Sequence, residues 1–267
     1  RTFVVAKKIA ESDVVTSFYL KPADHEPLPA WLPGQYITVK IDHPTTPTSP
    51  RNYSLSNQPG QDSFRISVKR EPGLIADAPD GLISTFLHDQ VQVGDTLQIG
   101  PPCGEFTLDP AEPRQTPTVM LAGGVGVTPL LSMAQSLIAA QPEAPLYFLQ
   151  AARNSQSHAF AAEIQELRNQ GANVRTLTLY DQPLADDLEN QNCDETGILS
   201  ENILREWTPF NEANFYFCGP KPFMQNVYAS LKALNVPADR IHFEFFGPRQ
   251  DIESAPLAGE PEVTASH

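Results

Sequence analysis

Cysteine is scarce in this chain: Cys103, Cys193 and Cys218 lie far apart and never in CxxC spacing. An odd, scattered set suits a reducing cytoplasm and excludes a cysteine-only zinc or iron–sulfur site within the chain. Basic residues are few as well, 18 against 32 acidic, for a net charge of −14. Such a surface repels nucleic acid and anionic lipid, so neither is an expected partner, and the acidity reads as plain solubility. No stretch approaches the roughly 20 apolar residues that span a bilayer. The start, Arg1-Thr2-Phe3-Val4-Val5, has neither an initiator methionine nor a signal peptide's apolar segment. The expectation is a cytoplasmic protein, with the question of further chain before Arg1 left open. A nucleophile elbow and an HExxH pair are both missing, which argues against hydrolysis.

What is present divides in two. At 267 residues and 40% hydrophobic, the chain is long enough for two ordinary cores. Up to about Leu108 it reads as short strands (residues 14–20, 35–41, 52–56, 64–69 and 96–100) with β-branched or aromatic residues. Turns at Pro33-Gly34, Pro59-Gly60, Val93-Gly94-Asp95 and Pro101-Pro102 separate them, which predicts a small antiparallel barrel interrupted by one helix near 82–90. Residues 109–117 form a proline-rich polar break. Beyond it, strands at 118–122, 146–150, 174–179, 214–218 and 241–245 alternate with helices near 129–140, 159–169, 200–207 and 222–234. That rhythm predicts a parallel sheet with helices on both faces. Residues 181–195 read as a solvated acidic loop. Residues 249–267 read as a tail or linker without fixed structure. The predicted units are therefore 1–112 and 113–248, with 249–267 trailing.

Four constellations carry chemistry. Arg51-Asn52-Tyr53-Ser54 places a guanidinium, an aromatic ring and a hydroxyl along one strand, which suits the phosphate, ring face and ring nitrogen of a flavin nucleotide. Gly81-Leu82-Ile83-Ser84-Thr85 opens the barrel's helix, whose unpaired N–H groups and hydroxyls suit a diphosphate. His88, deeper in that helix, reads as structural. Gly123-Gly124-Val125-Gly126-Val127-Thr128-Pro129 follows an apolar strand, with Thr128 suited to the N-cap and Pro129 to the first helical position, the βα geometry for a dinucleotide. Its sixth fingerprint position is proline rather than glycine. No acidic residue ends the next strand, where Arg153 either meets a 2′-phosphate or stays solvated. Finally, Cys218-Gly219-Pro220 ends a buried strand, and Glu244-Phe245-Phe246-Gly247-Pro248 closes the patterned region. Phe246 suits the shielding of a flavin face and Glu244 a polar place beside it; Cys218 and Phe246 fit ordinary core packing equally well.

In this order the four resemble the ferredoxin–NADP reductase superfamily, most closely the reductase portion of flavohaemoglobins. The resemblance covers Arg1 to about Pro248. It implies an antiparallel β-barrel flavin domain followed by a Rossmann-like parallel-sheet NAD(P) domain. It also implies FAD and NAD(P)H as cofactors, NADH slightly favoured. Pro33-Gly34-Gln35-Tyr36 is similar to a segment whose tyrosine contacts FAD, and Ile66-Ser67-Val68-Lys69-Arg70-Glu71 to the strand that follows the flavin strand. In the implied reaction nicotinamide meets the flavin near Ser54, Cys218, Glu244 and Phe246, and electrons leave singly for a globin haem or a [2Fe–2S] ferredoxin-like acceptor. Two departures stand out. Leu74-Ile75-Ala76-Asp77-Ala78-Pro79-Asp80 lengthens the loop before the phosphate helix, and there is no room for the roughly 140 residues of haem-binding helices. Nitric oxide dioxygenase activity is therefore not assigned to this chain by itself. An FMN-type reductase of a dioxygenase system and a non-catalytic nucleotide-binding domain remain the alternatives.

Overall fold

A computed structural model describes residues 1–41, 50–71, 82–245 and 250–253. The first half forms a six-stranded antiparallel sheet from β1 (Thr2–Ala10), β2 (Val15–Pro22), β3 (Tyr36–Lys40), β4 (Arg51–Ser54), β5 (Phe64–Lys69) and β6 (Thr96–Ile99), in the order β4-β3-β6-β1-β2-β5. Its two edges meet. Leu55 bridges Ile66, and the Ser56 N–H donates to the Arg65 carbonyl at 2.8 Å, closing the sheet into the expected barrel. Alternation along β3 drives this: Ile37 and Val39 are buried while Tyr36 and Thr38 are half-buried. The helix α1 (Leu82–Asp89) closes the barrel, its Leu87 buried among Phe18, Ile66 and Val91.

β1 was not among the predicted strands. Lys7 and Lys8 interrupt its apolar alternation, and a register shift falls between Val5 and Lys7. The Lys8 ammonium donates to the His88 and Val91 carbonyls at 2.7 and 2.8 Å, satisfying the end of α1.

The second half follows β7 (Thr118–Gly123), α2 (Val127–Ala140), β8 (Leu146–Ala152), α3 (Ala161–Gln170), β9 (Val174–Tyr180), α4 (Ala185–Glu189), β10 (Glu195–Thr196), α5 (Glu201–Trp207), β11 (Asn214–Cys218), α6 (Lys221–Ala233), β12 (Ile241–Phe243) and α7 (Gln250–Glu253). All strand pairs are parallel, in the order β10-β9-β8-β7-β11-β12. Met120 and Ala122 face one core with α2 and α3; Val119 and Leu121 face the other with α5 and α6. The predicted helix-covered parallel sheet is thus the one formed.

Four local expectations are corrected. Residues 181–195 are not simply a solvated loop: α4 lies within them, and β10 starts at their end. Asp187 is fully buried there, accepting from the backbone N–H groups of Leu184 and Ser155 and from Asn192. Those three donors hold its carboxyl well below the ordinary range despite burial. β12 ends at Phe243, two residues early. The trailing segment starts ordered: Ile252 of α7 is buried in the second core, and Gln225 donates to the Asp251 carbonyl at 2.9 Å. Lastly, Thr128 is not an N-cap and Pro129 is not the first helical residue. A 3-10 turn at Gly124–Gly126 starts the coil early, so α2 begins at Val127 and the Thr128 hydroxyl donates back to the Val125 carbonyl at 3.1 Å. Among the described residues no helix is long and apolar enough to cross a membrane.

Candidate functional site

Strand order reverses between β7 and β11, because β8 and β9 continue to one side and β12 to the other. Ligands bind at the carboxyl ends of strands beside such a switch point. There Gly123 ends β7, Cys218 ends β11, and Cys218 pairs in register with Ala122. The two following turns interlock. A Cβ on Gly126 would lie 2.2 Å from the Cys218 carbonyl oxygen and 2.5 Å from the Gly219 nitrogen, so only glycine admits this backbone-to-backbone contact. The 14-residue helix α2 presents its N-terminus beside the interlock, with Gly124 exposed and Val125 half-buried, ready for a nucleotide phosphate.

Across from this crevice stands the barrel edge made by β3 and β4. Tyr36 pairs with Ser54, Ile37 with Tyr53, Thr38 with Asn52 and Val39 with Arg51. Opposed residues share a face, so Tyr36, Ser54 and Asn52 lie on one side, and the Thr38 hydroxyl donates to Asn52 Oδ1 at 2.8 Å. Tyr53 and Arg51 lie on the other. Tyr53 packs against the barrel core, and burial pushes its phenol up to about 12, keeping it neutral. Arg51 is exposed, as a phosphate ligand needs to be.

Tyr36 sits where the barrel approaches Glu244 of the second half. Its backbone exchanges hydrogen bonds with Cys103 at 2.9 Å in both directions, and the Cys103 thiol beside it raises the phenol's pKa, ahead of burial and of Glu244. A Cβ on Gly104, at φ +114°, would sit 2.9 Å from the Tyr36 ring and 3.9 Å from Glu244 Oε1. Glu244 follows β12, and its Oε2 is shut off from solvent with no partner among the described residues. Burial lifts this carboxyl to about 7. Burial, with the Glu244 charge second, also pushes the Cys218 thiol up, so Cys218 is an uncharged, inert sulfur. Ser54, Tyr36, Glu244 and Cys218 thus form one wall between barrel and sheet. Cys103 and Gly104 escaped the sequence reading because their pairing with Tyr36 spans 67 positions and has no local signature.

Other predicted residues fall variously. Ser84 is buried and accepts from the Glu71 N–H at 3.1 Å. The Thr85 hydroxyl is buried without a partner among the described residues. Ile83 and Val68 point into the barrel core, and the Val68 carbonyl accepts from His88 at 2.7 Å, the structural role expected of that histidine. Leu82 opens α1, and Lys69 ends β5 half-buried. Gly219 is half-buried and Pro220 exposed, while Phe245 packs on the second core. Arg153 is exposed just past β8. Gly81, Phe246, Gly247, Pro248 and the loop 74–80 lie outside the described residues. The Thr85 hydroxyl and Glu244 Oε2, both buried without a partner among the described residues, fall on the two segments expected to meet flavin diphosphate and flavin ring, so the residues present fit that cofactor.

The pattern described as "Oxidoreductase FAD-binding domain" matches residues 2–108, and that described as "Oxidoreductase NAD-binding domain" matches 120–228. A flavohemoprotein of Rhodopirellula baltica is 59% identical over 252 residues, covering 94% of this chain and 62% of the relative. The chain spans about 62% of the length of the flavohemoproteins it matches. The flavohem-like FAD/NAD binding domain of nitric oxide dioxygenase from Vibrio cholerae is 36% identical, with a TM-score of 0.81, covering 93% of this chain and 99% of that one. Phthalate dioxygenase reductase, described as modular for electron transfer from pyridine nucleotides to [2Fe–2S], is 27% identical with a TM-score of 0.68, covering 93% of this chain and 68% of that one.

Proposed function

This chain belongs to the flavohaemoglobin-type FAD/NAD-binding oxidoreductases of the ferredoxin–NADP reductase superfamily, and we propose that it works as an FAD-dependent NAD(P)H reductase module. When bound, flavin supplies the chemistry: it takes hydride from reduced nicotinamide and releases electrons one at a time. The chain's own residues bind and orient. Arg51 meets phosphate, Tyr53 and Tyr36 position the ring, and Ser54 offers its hydroxyl to the ring nitrogen. Gly81, Leu82, Ile83, Ser84 and Thr85 receive the diphosphate at the start of α1, where the Thr85 hydroxyl gains a partner that it lacks among the described residues. Gly123 through Thr128 hold the dinucleotide phosphate, and Cys218, Gly219 and Pro220 flank the nicotinamide. Glu244, lifted by burial to about 7, holds a proton at the seam for about half of the time near neutral pH, and the segment Phe245 to Pro248 covers the ring.

The observation that carries this proposal is the Gly126 interlock. The phosphate turn and the nicotinamide-side loop form one packed unit, facing the Tyr36–Ser54 edge through Glu244. Residues 1–112 act as the flavin unit and 113–248 as the nucleotide unit. The acceptor is a globin haem, as the flavohemoprotein relatives suggest, or a [2Fe–2S] domain, as in the dioxygenase reductase. NADH is the slightly favoured donor, and the setting is cytoplasmic. Purified protein should be yellow, bleach under nitrogen with NADH, and release FAD rather than FMN by mass. Colourless protein that refuses added FAD would sink the proposal, and yellow protein that no nicotinamide bleaches would leave a binding domain without turnover.

A further inference from the structure

The Arg65 guanidinium, on β5, is buried at the join of barrel and sheet, its side chain only 5% exposed. It reaches in two directions. Toward the barrel, Nε donates to Ser56 Oγ at 2.9 Å and Nη2 to the Ser56 carbonyl at 2.6 Å, two residues beyond Ser54. Toward the sheet, it grips Glu163 in the first turn of α3 with both terminal nitrogens, Nη1 to Oε1 at 2.7 Å and Nη2 to Oε2 at 3.2 Å. Glu163 Oε2 also accepts from Gln135 of α2 at 3.0 Å. The guanidinium carbon lies 4.8 Å from the Phe160 ring centroid and 5.9 Å from that of Tyr19.

Beside it the Asp13 N–H donates to the Gln156 carbonyl at 2.9 Å, and apolar packing puts Val15, Phe106 and Leu108 in one core with Met133 and Leu137 of α2. Apolar burial is non-directional and tolerates sliding. A two-pronged guanidinium–carboxylate pair fixes angle and distance together; the guanidinium is buried, while the Glu163 side chain is 34% exposed, so salt screens the pair in part. One unbroken line therefore runs from the flavin strand, through Ser56, Arg65, Glu163 and Gln135, to the helix that begins at the nucleotide turn.

We propose that Arg65 and Glu163 are positioning residues for hydride transfer, a latch that sets the alignment of the flavin strand against helix α2. This rests on the chain being a reductase. The test uses the flavin-loaded protein and Glu163→Gln, which keeps shape while removing the charge. The variant should retain wild-type flavin content, yet bleach with NADH at least about tenfold more slowly, since ångström-scale misplacement of reactants has effects of this size. Reduction by dithionite and reoxidation by ferricyanide, which need no docked nicotinamide, should keep wild-type rates. Hydrogen exchange without nicotinamide should show residues 54–57 and 156–163 losing protection together. Unchanged exchange overturns the latch, as does lost protection with an unchanged bleaching rate, which would make the pair structural only. The exchange result stands even where wild-type protein is not bleached, an outcome that counts against the reductase reading instead. Should Glu163→Gln fail to fold, Gln135→Met cuts only the arm to α2, and the same readouts apply.

Discussion

Placing a methyl on Gly126 puts its Cβ 2.2 Å from the Cys218 carbonyl oxygen and 2.3 Å from the carbonyl carbon. Ordinary contact begins at 3.4 Å, so the two turns must part by about 1.2 Å, and every atom in the way is backbone with no rotamer to escape into. Overpacking of this kind typically costs about 1–3 kcal/mol, and the absence of a flexible neighbour puts Gly126→Ala near about 3. Function should suffer separately. Because the same displacement moves the Cys218 loop off its line with the Tyr36–Ser54 edge, an ångström-scale error predicts roughly a hundredfold slower hydride step. That corresponds to about 2.7 kcal/mol of barrier. Stopped-flow bleaching of the flavin-loaded variant with saturating NADH reads the step, and thermal unfolding reads the stability. Gly94→Ala is the comparison: its φ of +95° also strains an alanine, at about 1–3 kcal/mol, but nothing lies within 4 Å of the new Cβ. It should lose stability while bleaching at the wild-type rate. A Gly126→Ala protein that bleaches as fast as Gly94→Ala would refute the claim that the interlock aims the nicotinamide loop.

Three further outcomes follow from single side chains. Arg51→Ala, an exposed site, should leave unfolding of the flavin-free protein within about 0.5 kcal/mol yet lose flavin on purification, and full retention by absorbance would count against its phosphate role. Thr85→Val should stabilise flavin-free protein by about 1 kcal/mol, by removing a buried hydroxyl without a partner among the described residues, while weakening FAD retention on dialysis. Equal signs in the two assays would exclude a ligand for that hydroxyl. Burial lifts Glu244 from 4.5 to about 7. Between those values the folded state keeps the proton that the unfolded chain releases, so this group's contribution to stability falls as pH rises through the window and is level above it. Glu244→Gln should therefore be more stable than flavin-free wild type by about 3 kcal/mol at pH 8 and equal to it at pH 4. Parallel curves across that range would mean the carboxyl is not buried.

The layered architecture was legible because both halves bury what their periodicity says they bury. Ile37 and Val39 alternate inward along β3, while β7 is buried at every position because helices cover both its faces. Local pattern misleads where a polar side chain serves another element. Lys8 breaks the alternation of β1 to cap the end of α1, and Asp187 looks like one more surface acid in a charged run yet is the buried anchor of α4. The carbonyls that hold Lys8 lie 80 and 83 positions away, and Asp187 joins two near neighbours, Leu184 and Asn192, to Ser155, 32 positions back, so a local window holds at most part of the answer.

The candidate site divides along the same line. Residues that bind through backbone and turn geometry, the Gly123–Thr128 turn above all, announce themselves locally, since a strand running into closely spaced glycines has few other uses. The exact start of α2 does not, because Thr128 and Pro129 suit a cap equally well until the backbone of Cys218 forces a tight turn one step earlier. Glu244 is the sharper case. In sequence it is one acid among 32, and nothing near it predicts a carboxyl lifted to about 7. Its environment comes from Gly104 and Tyr36 in the other half of the molecule. Its titration is consequently a property of how the two halves meet, and loosening the seam at Arg65 and Glu163 should let water in and bring that carboxyl back toward its ordinary range, whichever residue does the loosening.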